Sequence, residues 1–192
     1  MDDLYDVWAP FYDAAYDGQS EDVAFYRDLA LAADGPVLEV GCGTGRIYLD
    51  LLRNGVDADG IDLKEPMLDR LREKADAEGL DPSVWQADVT EFEADRAYAL
   101  VIVPFRAFLH VTSLAGQRAA LTNLREALTP GGRVVYNVFS PDLEYVAANY
   151  GMTHEKTLTV EGREYRNEWE HEIVDTIELV TEYRQRLVAP SG

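Results

Sequence analysis

The stretch Val37-Leu38-Glu39-Val40-Gly41-Cys42-Gly43-Thr44-Gly45-Arg46 is an apolar, β-branched run that breaks into three glycines at alternate positions. The pattern Ile47-Tyr48-Leu49-Asp50-Leu51-Leu52 leaves it with helical spacing. Strand, tight turn, helix is the opening of a nucleotide-binding βαβ unit. Glycines allow backbone dihedrals closed to other residues and let a ligand come close to the main chain. The helix start is expected to present free backbone N–H groups to that ligand.

The spacing separates two cofactor classes. A dinucleotide fingerprint, G-x-G-x-x-G, seats a pyrophosphate on the helix N-terminus. This chain reads G-x-G-x-G, with Arg46 in the slot of the last glycine and Glu39 ahead of the first. The E-V-G-C-G-T-G segment resembles motif I of the class I S-adenosylmethionine (SAM)-dependent methyltransferases, of the small-molecule type (methyltransferase domain 11/25-like). That resemblance implies that Glu39 orients the methionine ammonium of SAM. It also implies that Gly41, Cys42, Gly43 and Gly45 form the loop against the cofactor.

Length and composition set the bounds. The 192 residues, 47% hydrophobic and 28% charged, suit one domain with a sizeable core. No apolar run is long enough to span a bilayer, and Met1-Asp2-Asp3 does not open a signal peptide. The expected location is cytoplasmic, with no membrane partner. The single cysteine, Cys42, rules out an internal disulfide and a multi-cysteine metal site, and no metal is implied. Acidic residues number 36 against 17 basic, for a formal net charge of −19. A nucleic-acid partner would want a basic face instead. The acids are scattered, and the lysines are Lys64, Lys74 and Lys156, arginine supplying the other basic side chains. Such a balance resembles proteins of salt-loving archaea; an ordinary acidic bacterial protein is the alternative. Salt screens the self-repulsion, because the Debye length falls to about 3 Å at 1 M.

The N-terminal segment Leu4–Asp17 is rich in aromatics. Its Ala9, Tyr12 and Asp13 resemble the A-x-x-Y-D of the N-terminal lid of small-molecule methyltransferases. The resemblance places Tyr5 and Tyr12 at the cofactor and substrate pocket; aromatic faces suit a sulfonium. A hydrophobic helix packed on the core is the plainer reading. Ser20 is the expected N-cap of a helix running to about Ala33, stopped by Asp34-Gly35-Pro36.

Ala58–Asp62 reads as the second strand. An acid at the tip of that strand lies where a nucleotide ribose sits, and a carboxylate can accept from both hydroxyls. The resemblance gives Asp62 this task for SAM, with Leu63 and Met67 beside the cofactor; a strand-end or capping Asp is the alternative. Pro66 starts the next helix and Gly79 ends it. After a third strand, Val84–Gln86, the resemblance maps the adenine contacts to Asp88 and Val89; a turn aspartate is the rival reading.

Tyr98–Pro104 is an apolar run suited to a central strand buried on both faces. Residues past its carboxyl end face a reaction centre in doubly wound sheets. Val103-Pro104-Phe105-Arg106 departs from the [N/D]-P-P-[Y/F] of amino-group methyltransferases acting on nucleobases or glutamine, and looks closer to families acting on small metabolites. The candidate catalytic residues are Arg106, to bind a substrate carboxylate or phosphate, His110, as general base, and Tyr12. A hydrogen-bonded structural role is the other reading of His110. Residues 116–128 carry a Leu121, Leu124, Leu128 stripe, and the Leu124–Gly132 run resembles the family's helix, P-G-G turn and strand, the strand being Arg133–Val138.

The expected fold is α/β: a Rossmann-like doubly wound sheet, strand order 3-2-1-4-5, with helices on both faces. Residues 1–34 form an N-terminal helical lid, 35–140 the SAM-binding core, and 141–192 a short helix with an antiparallel strand extension. In that extension Tyr165, Trp169 and Ile173 share a face, as do Ile177, Leu179, Tyr183 and Leu187, with turns at Glu161-Gly162 and Asp175-Thr176. The family's usual last two strands are missing. Either the sequence, which stops at Pro190-Ser191-Gly192, is truncated at its C-terminus, or the three strands replace the hairpin and cover the sheet edge. They would then shield substrate or form a homodimer.

The resemblance implies a SAM-dependent methyltransferase (EC 2.1.1.-) acting on a small-molecule acceptor, with S-adenosylhomocysteine as product. The alternatives are a SAM-binding module without catalysis and, disfavoured by Arg46, a nucleotide-dependent oxidoreductase.

Overall fold

The computed structural model describes residues 4–140, 142–177 and 180–189. The sequence readings at Met1-Asp2-Asp3, Pro141, Leu179 and Pro190-Ser191-Gly192 lie outside them. The chain divides into two compact units, Met1–Ala9 with Gly18–Val138, and Pro10–Asp17 with Phe139–Gly192.

The first unit holds the helix start α1 (Leu4–Ala15, which runs on into the second unit), then α2 (Val23–Leu31), β1 (Val37–Val40), α3 (Tyr48–Arg53), β2 (Ala58–Asp62), α4 (Glu65–Glu78), β3 (Ser83–Gln86), β4 (Tyr98–Val103), a 3-10 turn (Ala107–His110), α5 (Leu114–Glu126) and β5 (Leu128–Tyr136). Its five strands are all parallel, in the order β3-β2-β1-β4-β5. This is the expected doubly wound order. Parallel strands need crossovers, and the crossovers bury both faces. The pleat sorts the strand residues accordingly. Val37, Leu100 and Ile102 pack with Tyr26, Tyr48, Leu68 and Leu71 from α2, α3 and α4. Leu38, Val40, Val101 and Val103 pack with Ala120 and Leu124 from α5 and with Phe92 and Phe108.

Local signals set most ends. Gly55 and Gly79 turn left-handed after α3 and α4 (φ 74° and 68°), and Pro66 lies in the first turn of α4. Three details differ from expectation. Ser20 does not cap α2: the helix begins at Val23, and the preceding Asp22 is held by Arg46 instead. The helical stripe is Ala120, Leu124 and Ala127 rather than Leu121, Leu124 and Leu128. Leu121 is exposed and Leu128 already pairs with Tyr98 in the sheet. Thr129–Gly132 forms a bulge, since Leu128 pairs with Tyr98 and Arg133 with Leu100.

The second unit contains α6 (Leu143–Asn149), capped by the Asp142 carboxylate, and an antiparallel sheet of β6 (Thr153–Val160), β7 (Arg163–Asp175) and β8 (Val180–Val188). The strands hydrogen-bond with one another in the order β6-β7-β8 as a sheet of their own. Glu161-Gly162 is the expected turn, with both residues at positive φ. One sheet face carries Leu158, Tyr165, Asn167 and Trp169, with Leu158 and Asn167 buried. Ile173 is 37% exposed near the end of β7, and Ile177 is an exposed turn residue rather than a member of the β8 face.

Candidate cofactor site

The site is built where β1 and β2 end. Gly41 and Cys42 both donate their backbone N–H to Ile61 O, at 2.8 and 3.1 Å, which lashes the loop to β2. Gly45 N donates to Cys42 O at 2.9 Å, and Gly43 N to Asp62 Oδ2 at 2.8 Å. Lys64 N donates to Asp62 Oδ1 at 2.9 Å. These four loop N–H groups, which precede the start of α3, are held by internal acceptors. An unpaired N–H in so enclosed a loop would be costly.

The three glycines, all at positive φ, differ in what requires them. A Cβ on Gly41 would lie 2.7 Å from Ala107 Cβ, and one on Gly45 2.8 Å from side-chain carbons of Leu49 and Leu71. Those two serve packing as well as conformation. A Cβ on Gly43 would meet nothing closer than Met67 Cε at 3.5 Å, with Asp62 Oδ2 at 4.0 Å. Gly43 thus leaves room for about a methyl group beside Met67 and Asp62.

Glu39 lies within β1 at 2% exposure, between Gly60 of β2 and Ile102 of β4 in the register. Its Oε2 is buried without a hydrogen-bond partner. Burial pushes its pKa well up, against the attraction of Arg46 and with the repulsion of Asp62 and Asp22. Burial also raises the Asp62 carboxyl, opposed by the backbone N–H groups it accepts. Cys42 turns its thiol into the core, in the space that a side chain on Gly60 would need, and burial raises its pKa. Leu63, next to Asp62, is a large apolar side chain at 51% exposure, and Met67 is buried. Asp88 Oδ1 accepts from Thr90 N (2.8 Å) and Thr90 Oγ1 (2.7 Å), the turn geometry that was the rival reading. Val89 O accepts from Asn123 Nδ2 at 3.0 Å, which fixes this loop to α5.

At the carboxyl end of β4 the chain bends sharply. Phe105 and Arg106 take φ of 51° and 64°, unusual for non-glycine residues. Arg106 N donates to Asn137 Oδ1 at 2.7 Å, which holds the bend. The His110 ring nitrogen Nε2 lies 3.3 Å from Tyr5 Oη, the rings meeting edge to face. His110 is reachable by solvent, yet surrounding atoms displace enough water to lower its pKa. Tyr12 belongs to the second unit, in ring contact with Tyr16.

Sequence reasoning passed over three of these elements. Arg46 pairs with the Asp22 carboxylate, donates to Gln19 O at 2.9 Å and stacks on Phe105 at 4.8 Å. The odd arginine in a glycine slot was its signal. Asn137, a polar residue interrupting Val134-Val135-Tyr136, was the signal for the β4 bend. The bend at Phe105-Arg106 itself had none.

A family described as "Methyltransferase domain" matches residues 37–132, from the first residue of β1 to the bulge in β5. The chain belongs to the class I methyltransferase-domain family. An uncharacterized methyltransferase of Geobacillus kaustophilus is 32% identical over 70% of this chain and 64% of its own length. The dTDP-3-amino-3,4,6-trideoxy-α-D-glucopyranose N,N-dimethyltransferase of Streptomyces venezuelae is 26% identical over 69% of the chain and 54% of that protein. Among solved structures, the CcbJ methyltransferase of Streptomyces caelestis superposes with a TM-score of 0.70 at 27% identity, covering 93% of this chain and 75% of that one. The S. venezuelae protein DesVI gives 0.72 at 21% identity, over 94% and 82%. The chain spans between about a third and two thirds of the curated relatives it matches. SAM is the cofactor of this methyltransferase-domain class. The site's chemistry fits it: an orphaned buried carboxylate for an ammonium, the room left at Gly43, and an acid at the strand tip for a ribose.

Proposed function

We propose that the chain is a methyltransferase that moves a methyl group from SAM to the amino group of a small sugar-like acceptor. The observation that carries the donor half is the Glu39–Gly43–Asp62 arrangement, an unpartnered buried carboxylate and a glycine with room beside it next to a strand-tip acid. Support for the acceptor half comes from the S. venezuelae relative, a dimethyltransferase of an amino sugar, and from the fold shared with the sugar N-methyltransferase KedS8, TM-score 0.71 at 19% identity.

In this reading Glu39 takes the methionine ammonium, and Gly41, Cys42, Gly43 and Gly45 bring the backbone near it. Asp62 accepts from the ribose hydroxyls with the lone pairs its backbone partners leave. Leu63 and Met67 cover the adenine, whose edge is read at Asp88 and Val89. SAM supplies an already reactive methyl, so the protein's work is alignment, about 7–11 kcal/mol in favourable cases. Tyr5 holds His110. Its lowered pKa keeps the imidazole neutral at pH 7, ready to take the proton that the acceptor nitrogen sheds as its bond to the methyl forms. Arg106 receives an acidic group of the acceptor.

The wider reading keeps 1–34 as a lid, 35–140 as the cofactor core and 141–192 as a substrate-covering or dimer-forming extension, in a cytoplasmic, salt-adapted protein. The test is incubation of the chain with methyl-labelled SAM and a nucleoside-diphosphate amino sugar at high salt. Label is expected in the sugar. Cofactor binding with no transfer to any amine or hydroxyl acceptor would leave the non-catalytic module instead.

A further inference from the structure

Glu39 stands apart from the other acids of the glycine-loop site. Asp62 accepts from backbone N–H groups, those of Gly43 and Lys64 among them, and Asp22 has the Arg46 guanidinium, whereas Glu39 Oε2 has none. The side chain is only 2% exposed, on a strand buried on both faces. Its neighbours would not welcome a further negative charge. The charged groups that act on it are Arg46, at the end of the glycine loop, Asp62, at the tip of β2, and Asp22, ahead of α2. The titratable groups that feel its charge are Cys42 in the loop, Tyr26 in α2 and Tyr48 in α3, and burial keeps all three protonated. Two carboxylates therefore surround it against one guanidinium, and that guanidinium is already held by Asp22, Gln19 O and the Phe105 ring. A buried carboxyl with no partner sheds its charge rather than carry it unpaired.

We propose that Glu39 stands as a neutral acid in the free protein and ionises only when a ligand ammonium arrives beside it, so that binding releases a proton and the site selects for ligands carrying that cation. This rests on the SAM reading above. The balance is simple. The Glu39 O–H bond breaks, its proton passes to bulk water or buffer, and the carboxylate left behind pairs with the ammonium. The buried pair gains a charge-assisted hydrogen bond that neither partner has alone. Glu39 then discriminates cationic from neutral ligands of the same nucleoside, because a neutral ligand leaves it protonated.

Calorimetric titration of the full chain tests this. The ligands are S-adenosylhomocysteine and 5′-methylthioadenosine, which shares the nucleoside and sulfur but has no ammonium. The work is done at pH 6.5, where an α-amino group of pKa roughly 7.7–8.0 is charged, in phosphate and in imidazole at equal salt. The dependence of the heat on buffer counts protons. Release of about one proton is expected with S-adenosylhomocysteine and none with methylthioadenosine. Any proton lost by Asp62 at the ribose would appear with both ligands and cancel in the difference. Glu39→Gln is expected to abolish the release, weaken S-adenosylhomocysteine about tenfold or more and leave methylthioadenosine unchanged, which also shows that the variant is folded. Buffer-independent heat for S-adenosylhomocysteine in the wild type, or the same release in Glu39→Gln, overturns the proposal while the cofactor reading stands. Binding of neither ligand takes down the cofactor reading itself, and this inference with it.

Discussion

At the scale of single residues, the loop glycines separate into two kinds with opposite expected behaviour. Gly45→Ala would drive a methyl into Leu49 and Leu71 at a left-handed position, and should cost about 2–3 kcal/mol of stability or more. Gly43→Ala meets no close atom and should cost only the strain of its positive φ, about 1–2 kcal/mol. It should nevertheless bind S-adenosylhomocysteine poorly, since its methyl occupies the room that Gly43 leaves. Denaturant melts paired with ligand titrations distinguish the two. A Gly43→Ala variant that bound as well as wild type would take Gly43 out of the site. Glu39 adds a pH effect. Its folded pKa is raised, so the native state holds more protons than the unfolded chain above the ordinary glutamate range. The stability it contributes is full below that range and is lost as pH rises toward the folded pKa. Glu39→Gln should therefore be more stable than wild type near pH 7 and weaker in cofactor binding. Equal melting temperatures across pH 4–8 would count against a buried ionisable Glu39.

At the scale of elements, the parallel sheet was legible because its strands are apolar on both faces and its turns carry Gly and Pro. Leu100-Val101-Ile102-Val103 can only be central, and Asn54-Gly55 and Glu78-Gly79 can only end helices. The motif residues Glu39, Gly43 and Asp62 sit together where β1 and β2 end. What was not legible depends on contacts between distant segments. The start of α2 moved because Asp22 pairs with Arg46, and the β4 bend depends on Asn137. Neither partner is fixed by local propensity. The amino-terminal end of the sheet holds another such device. Arg96 forks between Asp57 and Asp59, at 2.7 Å to Asp59 Oδ2, and Tyr98 Oη donates to that same oxygen at 2.8 Å. Asp59 is buried, so Arg96→Ala strands it beside the tyrosine. With Arg96 itself about a third exposed, the expected cost is about 1–3 kcal/mol. A thermal melt reads it directly. The loss should leave cofactor affinity intact, because the cluster lies at the end of the strands opposite the glycine loop. Equal stability would show that solvent replaces the arginine.

At the scale of the whole molecule, a net charge of −19 on 192 residues is the dominant electrostatic fact. Self-repulsion opposes the compact state and salt screens it. The melting temperature is therefore expected to climb by several degrees between 0.1 M and 2 M KCl. An unchanged or falling value would refute the salt-adapted reading. Activity carries its own pH signature. His110 is neutral above its lowered pKa, so transfer should be level near pH 7 and fall only below the ordinary histidine range. The most direct measurement is calorimetric titration of SAM into the wild-type chain and into Asp62→Asn in molar KCl, with circular dichroism on both. Micromolar binding to wild type, about 8 kcal/mol, weakened at least tenfold in a variant with an unchanged spectrum, is the expected result. Folded wild-type protein that ignores SAM, or an Asp62→Asn variant that binds equally well, would contradict the assignment of this glycine loop and its strand-tip acid as the cofactor site.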